Sequence, residues 1–294
     1  MPVIASVVIP TWNRAALLPD CLTSLMEQDL PAESWEIVVV DDGSTDDTPA
    51  TVQRLADEAA QSGITVVYER LAHVGLNAAR NAGAAKARGE LICFIDDDVR
   101  TPATWLSSLV SGVHQNPGAA AYGGPIRLLL EGPLPRTCGR EVLGETDQDN
   151  GPDVCEPPTL WGSNLTIPKE SLATFGGFDV SLQVGGDETE WLMRAKARGG
   201  RLLYLPEPAV HHLRRAAELT LTSLLVRRFG RGRAQINFGR VTGSEYKARQ
   251  ELAQLCRSLG HSARYRCGLG LLPVATSAGR LMGMIIGPRR DPGR

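Results

Sequence analysis

Through the first hundred residues, short apolar runs alternate with longer stretches in which apolar side chains recur every three or four positions. SVVIP (6–10), EIVVVDD (36–42), ITVVYE (64–69) and LICFI (91–95) predict strands. Helices are predicted between them, over about 14–27, after a cap at Ser44 or Thr45, and over about 75–88. The strand runs are continuously apolar, as in strands covered by helices on both faces. The pattern therefore predicts βαβ units and a mostly parallel, Rossmann-like sheet. Ligands of such sheets bind at the carboxyl ends of the strands.

Polar residues collect at those predicted ends. Pro10, Thr11, Trp12, Asn13 and Arg14 follow the first strand, and Asp41 and Asp42 end the second. Asn77, Arg80 and Asn81 lie on the helix after the third, and Asp96, Asp97 and Asp98 close the fourth. Crowded carboxylates must take up a proton, pair with protein cations or hold a metal. In a local extended D-x-D, Asp96 and Asp98 face one site while Asp97 faces away, so Asp97 is the member expected to matter least. A few hard oxygen ligands favour Mg²⁺ or Mn²⁺, which keep waters and bind substrate phosphates. There is no EF-hand loop and no Walker-type glycine-rich loop with Lys.

Residues 127–159, rich in Gly, Pro and charge, predict a long loop or flap. LWGSNLTIP, GGFDVSLQVGGDETEWLMRAKARGG, a strand RLLYLP and AVHH follow, and about 219–260 reads as Arg-rich helix. The expected division is a catalytic region 1–212, with a nucleotide half 1–100 and an acceptor half 101–212, and a basic helical extension 213–294. The net charge of −2 hides this split: residues 211–294 carry 16 Lys+Arg against 4 Asp+Glu, the rest 15 against 29. A basic tail fits an anionic partner. Leu221, Leu224, Leu225 and Phe229 with arginines between them form a basic amphipathic pattern, which suits either an anionic membrane surface or packing on the catalytic core with the arginines near the diphosphate. The run 268–287 is broken by Pro273 and Arg280 and would lie on a membrane rather than cross it. The N-terminus shows no secretory pattern, so a reducing cytosol is the expected location, with peripheral attachment at the inner face of the cell membrane as the expectation for the basic tail. The six cysteines include no C-x-x-C pair, which argues against a structural zinc site.

Taken together, VVIPTWNRAALLPDCLTSL, EIVVVDDGSTDDT, GLNAARNAGAAKARGELICFIDDDV, WGSN, GGFD, GGDETEW and PEPAVHH resemble family 2 glycosyltransferases over roughly residues 3–212. The resemblance implies a GT-A fold, a nucleotide-diphosphate sugar donor, most simply a UDP-sugar, and a glycan or lipid-linked hydroxyl acceptor, with no nucleic acid partner. It implies transfer with inversion, assisted by a divalent cation, Mn²⁺ or Mg²⁺. Pro10, Thr11, Arg14, Asp41, Asp42, Arg80, Asp96 and Asp97 would border the donor: Asp41 at the base, Asp42 shaping its loop, Arg80 at the phosphates. Asp98, Asp96 and His212 would hold the metal, His212 being preferred over His211 by its spacing from Pro206. Trp161, Gly162, Asn164 and Trp191 would meet the acceptor or the sugar. The family usually shows Glu then Asp where this chain has Asp187 then Glu188, so the base is Glu188 by position, with Asp187 the alternative. Two other readings are a sugar-phosphate nucleotidyltransferase, which lacks support because PTWNRA replaces the usual phosphate loop, and a non-catalytic nucleotide-sugar-binding protein.

Overall fold

The computed structural model describes residues 2–139, 147–182 and 187–286, apart from the side chain of Asp187. The predicted alternation is present: β1 (Ala5–Thr11), α1 (Leu18–Met26), β2 (Trp35–Asp41), α2 (Thr48–Gln61), β3 (Thr65–Arg70), α3 (Leu76–Lys86) and β4 (Leu91–Phe94). Then come β5 (Val99–Arg100), α4 (Trp105–Gln115), β6 (Ala121–Gly123), β7 (Ile126–Leu130), β8 (Leu165–Pro168), α5 (Lys169–Phe175), α6 (Asp187–Ala197), β9 (Leu202–Tyr204) and β10 (Val210–Arg214). Three helices follow: α7 (Leu221–Thr242), α8 (Ala248–Tyr265) and α9 (Leu271–Ile286).

The main sheet has the order β3-β2-β1-β4-β8-β6-β9. Its first four strands are parallel, β8 runs antiparallel to β4 and β6, and β9 is parallel to β6. Side chains alternate across this sheet, so one apolar run supplies two cores. Val7, Ile9, Ile37 and Val39 pack on one face with Leu22, Leu55 and Trp105. Val8, Val38, Val40 and Ile92 pack on the other with Ala79, Phe178 and Trp191. A smaller sheet, β5-β10-β7, lies beyond β4 in the chain.

Three boundaries differ from the predicted ones. The first helix begins at Leu18, because Pro19 suits the opening turn and residues 14–17 form a separate turn. The second begins at Thr48. Ser44 and Thr45 do not cap it, since the Ser44 hydroxyl accepts the Asn13 N–H and the Thr45 N–H donates to Asn13 Oδ1. The predicted flap yields its first residues to β7, and two bridges, Ile126 to Gln148 and Cys155 to Tyr204, tie further parts of it down.

The chain divides into two compact units. The first comprises Met1–Leu129, Thr146–Val180 and Glu188–Leu213; the second comprises Leu130–Glu145, Ser181–Asp187 and Arg214–Arg294, so far as these are described. Within the second, α7 and α9 cross at close range. Any Cβ on Gly232 would overlap the Thr276 carbonyl, and one on Gly279 would overlap the Phe229 carbonyl. Arg280, which breaks the apolar run of α9, pairs with the buried Glu251 of α8 at 3.1 Å and lies over the Tyr246 ring. None of the helices among the described residues is long and apolar enough to cross a membrane.

Candidate active site

The site grows from the carboxyl ends of β1, β2 and β4. After β1 the chain turns through Asn13 in a left-handed conformation (φ 53°), and the Asn13 side chain stitches this loop to the one after β2. Asp42 accepts from the Val74 and Gly75 N–H groups at 2.6 and 2.9 Å, so it shapes the loop before α3. Asp41 is fully buried. Its carboxylate accepts from the Ser44 N–H at 2.8 Å and the Tyr68 hydroxyl at 2.7 Å, so both of its oxygens are engaged within the protein. Burial and that bond hold the Tyr68 hydroxyl protonated far above the ordinary tyrosine range. Pro10 is buried within β1, opposite Val40.

The DDD triplet divides as expected but not for the expected reason: β4 ends at Phe94, and the triplet is a turn closed by the Val99 N–H on the Asp96 carbonyl at 3.2 Å, not an extended segment. Asp97 turns inward, accepts the Thr11 hydroxyl at 2.7 Å and lies 3.9 Å from Arg14 Nε. Burial, with the Asp98 charge beside it, pushes the Asp97 carboxyl up to about 7, against the pull of Arg14 and Thr11. The residue expected to matter least is therefore a buried tie between β1 and the triplet. Asp96 and Asp98 turn the other way and meet His212 of β10, whose Nε2 is 2.9 Å from Asp98 Oδ1. One ligand atom from each of Asp96, Asp98 and His212 lies within 4.8 Å of the others. His211, its neighbour in β10, is not in this group. The small sheet explains the convergence: His212 pairs with Val99, directly after the triplet, and the Leu213 N–H donates to the Asp98 carbonyl. Two carboxylates and an imidazole form a donor set suited to a divalent ion that also takes oxygen from water or phosphate.

Arg80 joins this trio to the other half of the site. Its side chain is 3% exposed, with Nη2 3.9 Å from Asp96 and Nη1 3.8 Å from Glu188. The guanidinium also lies 5.6 Å from the centre of the Phe178 ring. Glu188, in the first turn of α6, accepts the Gly162 N–H at 3.4 Å. Gly162 also leaves room for the guanidinium: a Cβ there would overlap Arg80 Nη2. The side chain of Asp187 lies outside the described residues.

Asn77 and Asn81 of α3 hold the turn ahead of α6. Asn81 donates to the Phe178 carbonyl and accepts its N–H, and Asn77 donates to the Asp179 carbonyl. Arg194 closes the same turn by donating to the Phe175 and Gly177 carbonyls, and it pairs with Glu190 at 2.8 Å. Glu190 thus serves as the Arg194 partner one turn away on the same helix.

Two residues expected at the acceptor are elsewhere. Trp191 has no exposed surface; it packs edge-on against Phe175, and its indole N–H donates to the Gly176 carbonyl at 2.7 Å. Asn164 is buried, its amide accepting from the Trp105 indole and donating to the Pro125 and Pro208 carbonyls. Both are framework. Trp191→Ala is expected to cost about 3–5 kcal/mol of stability in chemical denaturation; unchanged stability with a weakened acceptor KM would return it to the sugar site. Trp161, by contrast, is 39% exposed beside Gly162 and remains available to a sugar face.

Nothing in the sequence singled out the pairing of Trp12 with His73. Their rings stack at 4.5 Å across two loops, with Trp12 48% exposed. A Trp directly after a strand end was the available signal, but no local pattern linked it to His73.

The sequence model described as Glycosyl transferase family 2 matches residues 6–140. The chain is 35% identical over 189 residues to the GalNAc(5)-diNAcBac-PP-undecaprenol beta-1,3-glucosyltransferase of Campylobacter jejuni, covering 64% of this chain and 58% of that one. It is 32% identical over 221 residues to Validoxylamine A glucosyltransferase of Streptomyces hygroscopicus subsp. jinggangensis (66% and 51%). With Glycosyltransferase AglE of Haloferax volcanii the identity is 26% over 231 residues (79% and 72%). Among solved structures, the mannosyltransferase PcManGT from Pyrobaculum calidifontis, in complex with GDP-Man and Mn²⁺, superposes with a TM-score of 0.65 at 19% identity, covering 97% of this chain and 88% of that one. At that identity the likeness establishes the GT-A fold.

Proposed function

The chain belongs to glycosyl transferase family 2, and from that premise we propose that it moves a sugar from a uridine diphosphate sugar to a hydroxyl of a glycan or lipid-linked acceptor, with inversion. Glycosyl transfer from a nucleotide-sugar donor is the activity of the family. The observation that carries the finer reading is the position of Arg80, between the Asp96 carboxylate of the metal-type trio and the carboxylate of Glu188.

In this proposal Glu188 is the base. The acceptor oxygen bonds to the anomeric carbon as the bond from that carbon to the diphosphate breaks; the hydroxyl proton passes to Glu188 and the nucleoside diphosphate leaves as an anion. Asp96, Asp98 and His212 would hold a divalent ion, Mn²⁺ in preference to Mg²⁺ because of the imidazole. That ion would supply Lewis-acid compensation for charge on the leaving diphosphate. Arg80 adds a fixed positive charge to the same side and orients Glu188. Asp41 and Asp42 form the base pocket from below, and Trp12 with His73 offers an aromatic edge to it. The nucleotidyltransferase reading has no comparable observation behind it.

A screen of nucleoside diphosphates by thermal unfolding, with and without Mn²⁺, tests the donor class. Uridine diphosphate is expected to raise the unfolding temperature only when metal is present. A response to guanosine diphosphate alone would overturn the uridine assignment, and equal stabilisation without metal would overturn the metal assignment.

We further propose that the Arg-rich α7 holds the enzyme at an anionic membrane surface on the cytoplasmic side, near a lipid-linked acceptor such as that in the name of the Campylobacter relative. Flotation of the full chain with anionic liposomes is expected at low salt and should fade as salt rises. Absence of flotation at low salt would remove the proposal.

A further inference from the structure

The helical unit brings together three side chains that lie far apart in the sequence. Helix α8 carries His261 near its C-terminus and ends at Arg266 in a left-handed conformation (φ 47°). That cap turns the chain so that Cys267 follows at once, its N–H donating to the Ser262 carbonyl at 3.1 Å. The next two residues bind the segment carrying Cys138, since the Gly268 and Leu269 N–H groups both donate to the Arg136 carbonyl. As a result Cys138 Sγ lies 3.3 Å from His261 Nε2. One ligand atom from each of Cys138, His261 and Cys267 lies within 4.8 Å of the other two. Gly270 leaves room for the imidazole; a Cβ there would stand 2.8 Å from its Cδ2.

We propose that Cys138, His261 and Cys267 form a binding site for a zinc-class divalent ion that clamps the 135–138 segment onto the end of α8. Zinc takes thiolate sulfur at about 2.3 Å and imidazole nitrogen at about 2.0–2.1 Å, so a tetrahedral ion separates its ligand atoms by roughly 3.5–4 Å. The three atoms need shift only slightly to reach that spacing. The chemistry differs from that of the Asp96, Asp98 and His212 trio: two thiolates and an imidazole select a softer ion than two carboxylates do. Three protein ligands leave the fourth position to water or a small exogenous ligand.

All three ligands belong to the second unit of the chain, so the site assembles within one folded body.

The test is a Co²⁺ titration of the reduced full-length chain, read by thiolate-to-cobalt charge-transfer absorption, followed by displacement with Zn²⁺ against a chromophoric chelator. Carboxylate sites do not produce that absorption, so the Asp98 trio cannot mimic it. The expected result is saturation at one cobalt per chain. Cys138→Ser and His261→Asn should each weaken zinc by more than the roughly 10–100-fold that loss of an outer partner costs. Cys256→Ser, at an exposed cysteine outside the cluster, should bind as the parent does. Absence of the charge-transfer band from the reduced parent chain would overturn the proposal without reliance on any variant. So would a band that survives in Cys138→Ser, or one that Cys256→Ser removes.

Discussion

Glu188→Gln is expected to lower the transfer rate by about 10²–10⁴-fold, the usual contribution of a positioned general base, while leaving donor binding intact. The amide keeps the shape of the carboxylate and an oxygen that can accept the Gly162 N–H, so the helix start should not rearrange. What it removes is the capacity to take the acceptor proton. Single-turnover transfer measured beside donor affinity separates the two effects. If Glu188→Gln retains transfer within about tenfold while Asp187→Asn loses it, the base is Asp187 and the assignment fails. Arg80 sharpens the expectation, because a neutral amide in place of the Glu188 carboxylate leaves a nearly buried guanidinium with Asp96 as its remaining named carboxylate partner. A modest loss of stability should therefore accompany the kinetic defect.

The second large effect is expected from Asp98→Asn. Substitution removes one of two carboxylates from the Asp96, Asp98 and His212 trio and should abolish Mn²⁺-dependent stabilisation by nucleoside diphosphate. Metal compensation of leaving-group charge is worth several kcal/mol, so the transfer rate should fall by roughly 10³-fold or more. Manganese-dependent thermal shift and transfer rate are the two readouts. Full retention of both would show that the trio is an ordinary buried pairing of His212 with Asp98. The fold itself should survive, since the loss of a carboxylate also relieves repulsion within the triplet; at Asp97 burial first and the Asp98 charge second push the carboxyl up to about 7.

Much of this site is written locally. A continuously apolar strand ending in polar residues needs only short-range periodicity to be recognised, and β1, β2 and β4 end where that pattern stops. The opposed directions of Asp97 and its two neighbours arise in a turn, closed by the Val99 N–H on the Asp96 carbonyl, rather than in the extended chain that the sequence predicted. The choice of His212 over His211 rested on spacing within a motif, and the pairing of β10 with β5 places it accordingly.

Helix faces were harder to read. Trp191 and Glu188 sit three residues apart on α6, one sealed in the core and the other at the site. Periodicity shows that they share a side of the helix, but not how deep each lies when the helix packs on the sheet. Asn164 likewise resembled a ligand contact until Trp105, Pro125 and Pro208 supplied its partners from three other segments.

The sequence by itself determined the order of strands and helices through the first hundred residues, the carboxylate-rich sheet edge, the family and the basic character of the C-terminal helices. These depend on periodicity, composition and motif spacing, which are properties of neighbours along the chain. Only the tertiary structure decided that Arg80 reaches both Asp96 and Glu188, that Trp12 stacks on His73, and that Arg280 is held by Glu251. The same holds for Cys138, His261 and Cys267, whose spacing matches no short metal motif and which meet because a helix cap and two backbone hydrogen bonds fold the chain back on itself. Contacts of that kind depend on which elements pack together, and that is set by the burial of whole faces rather than by any short stretch of residues.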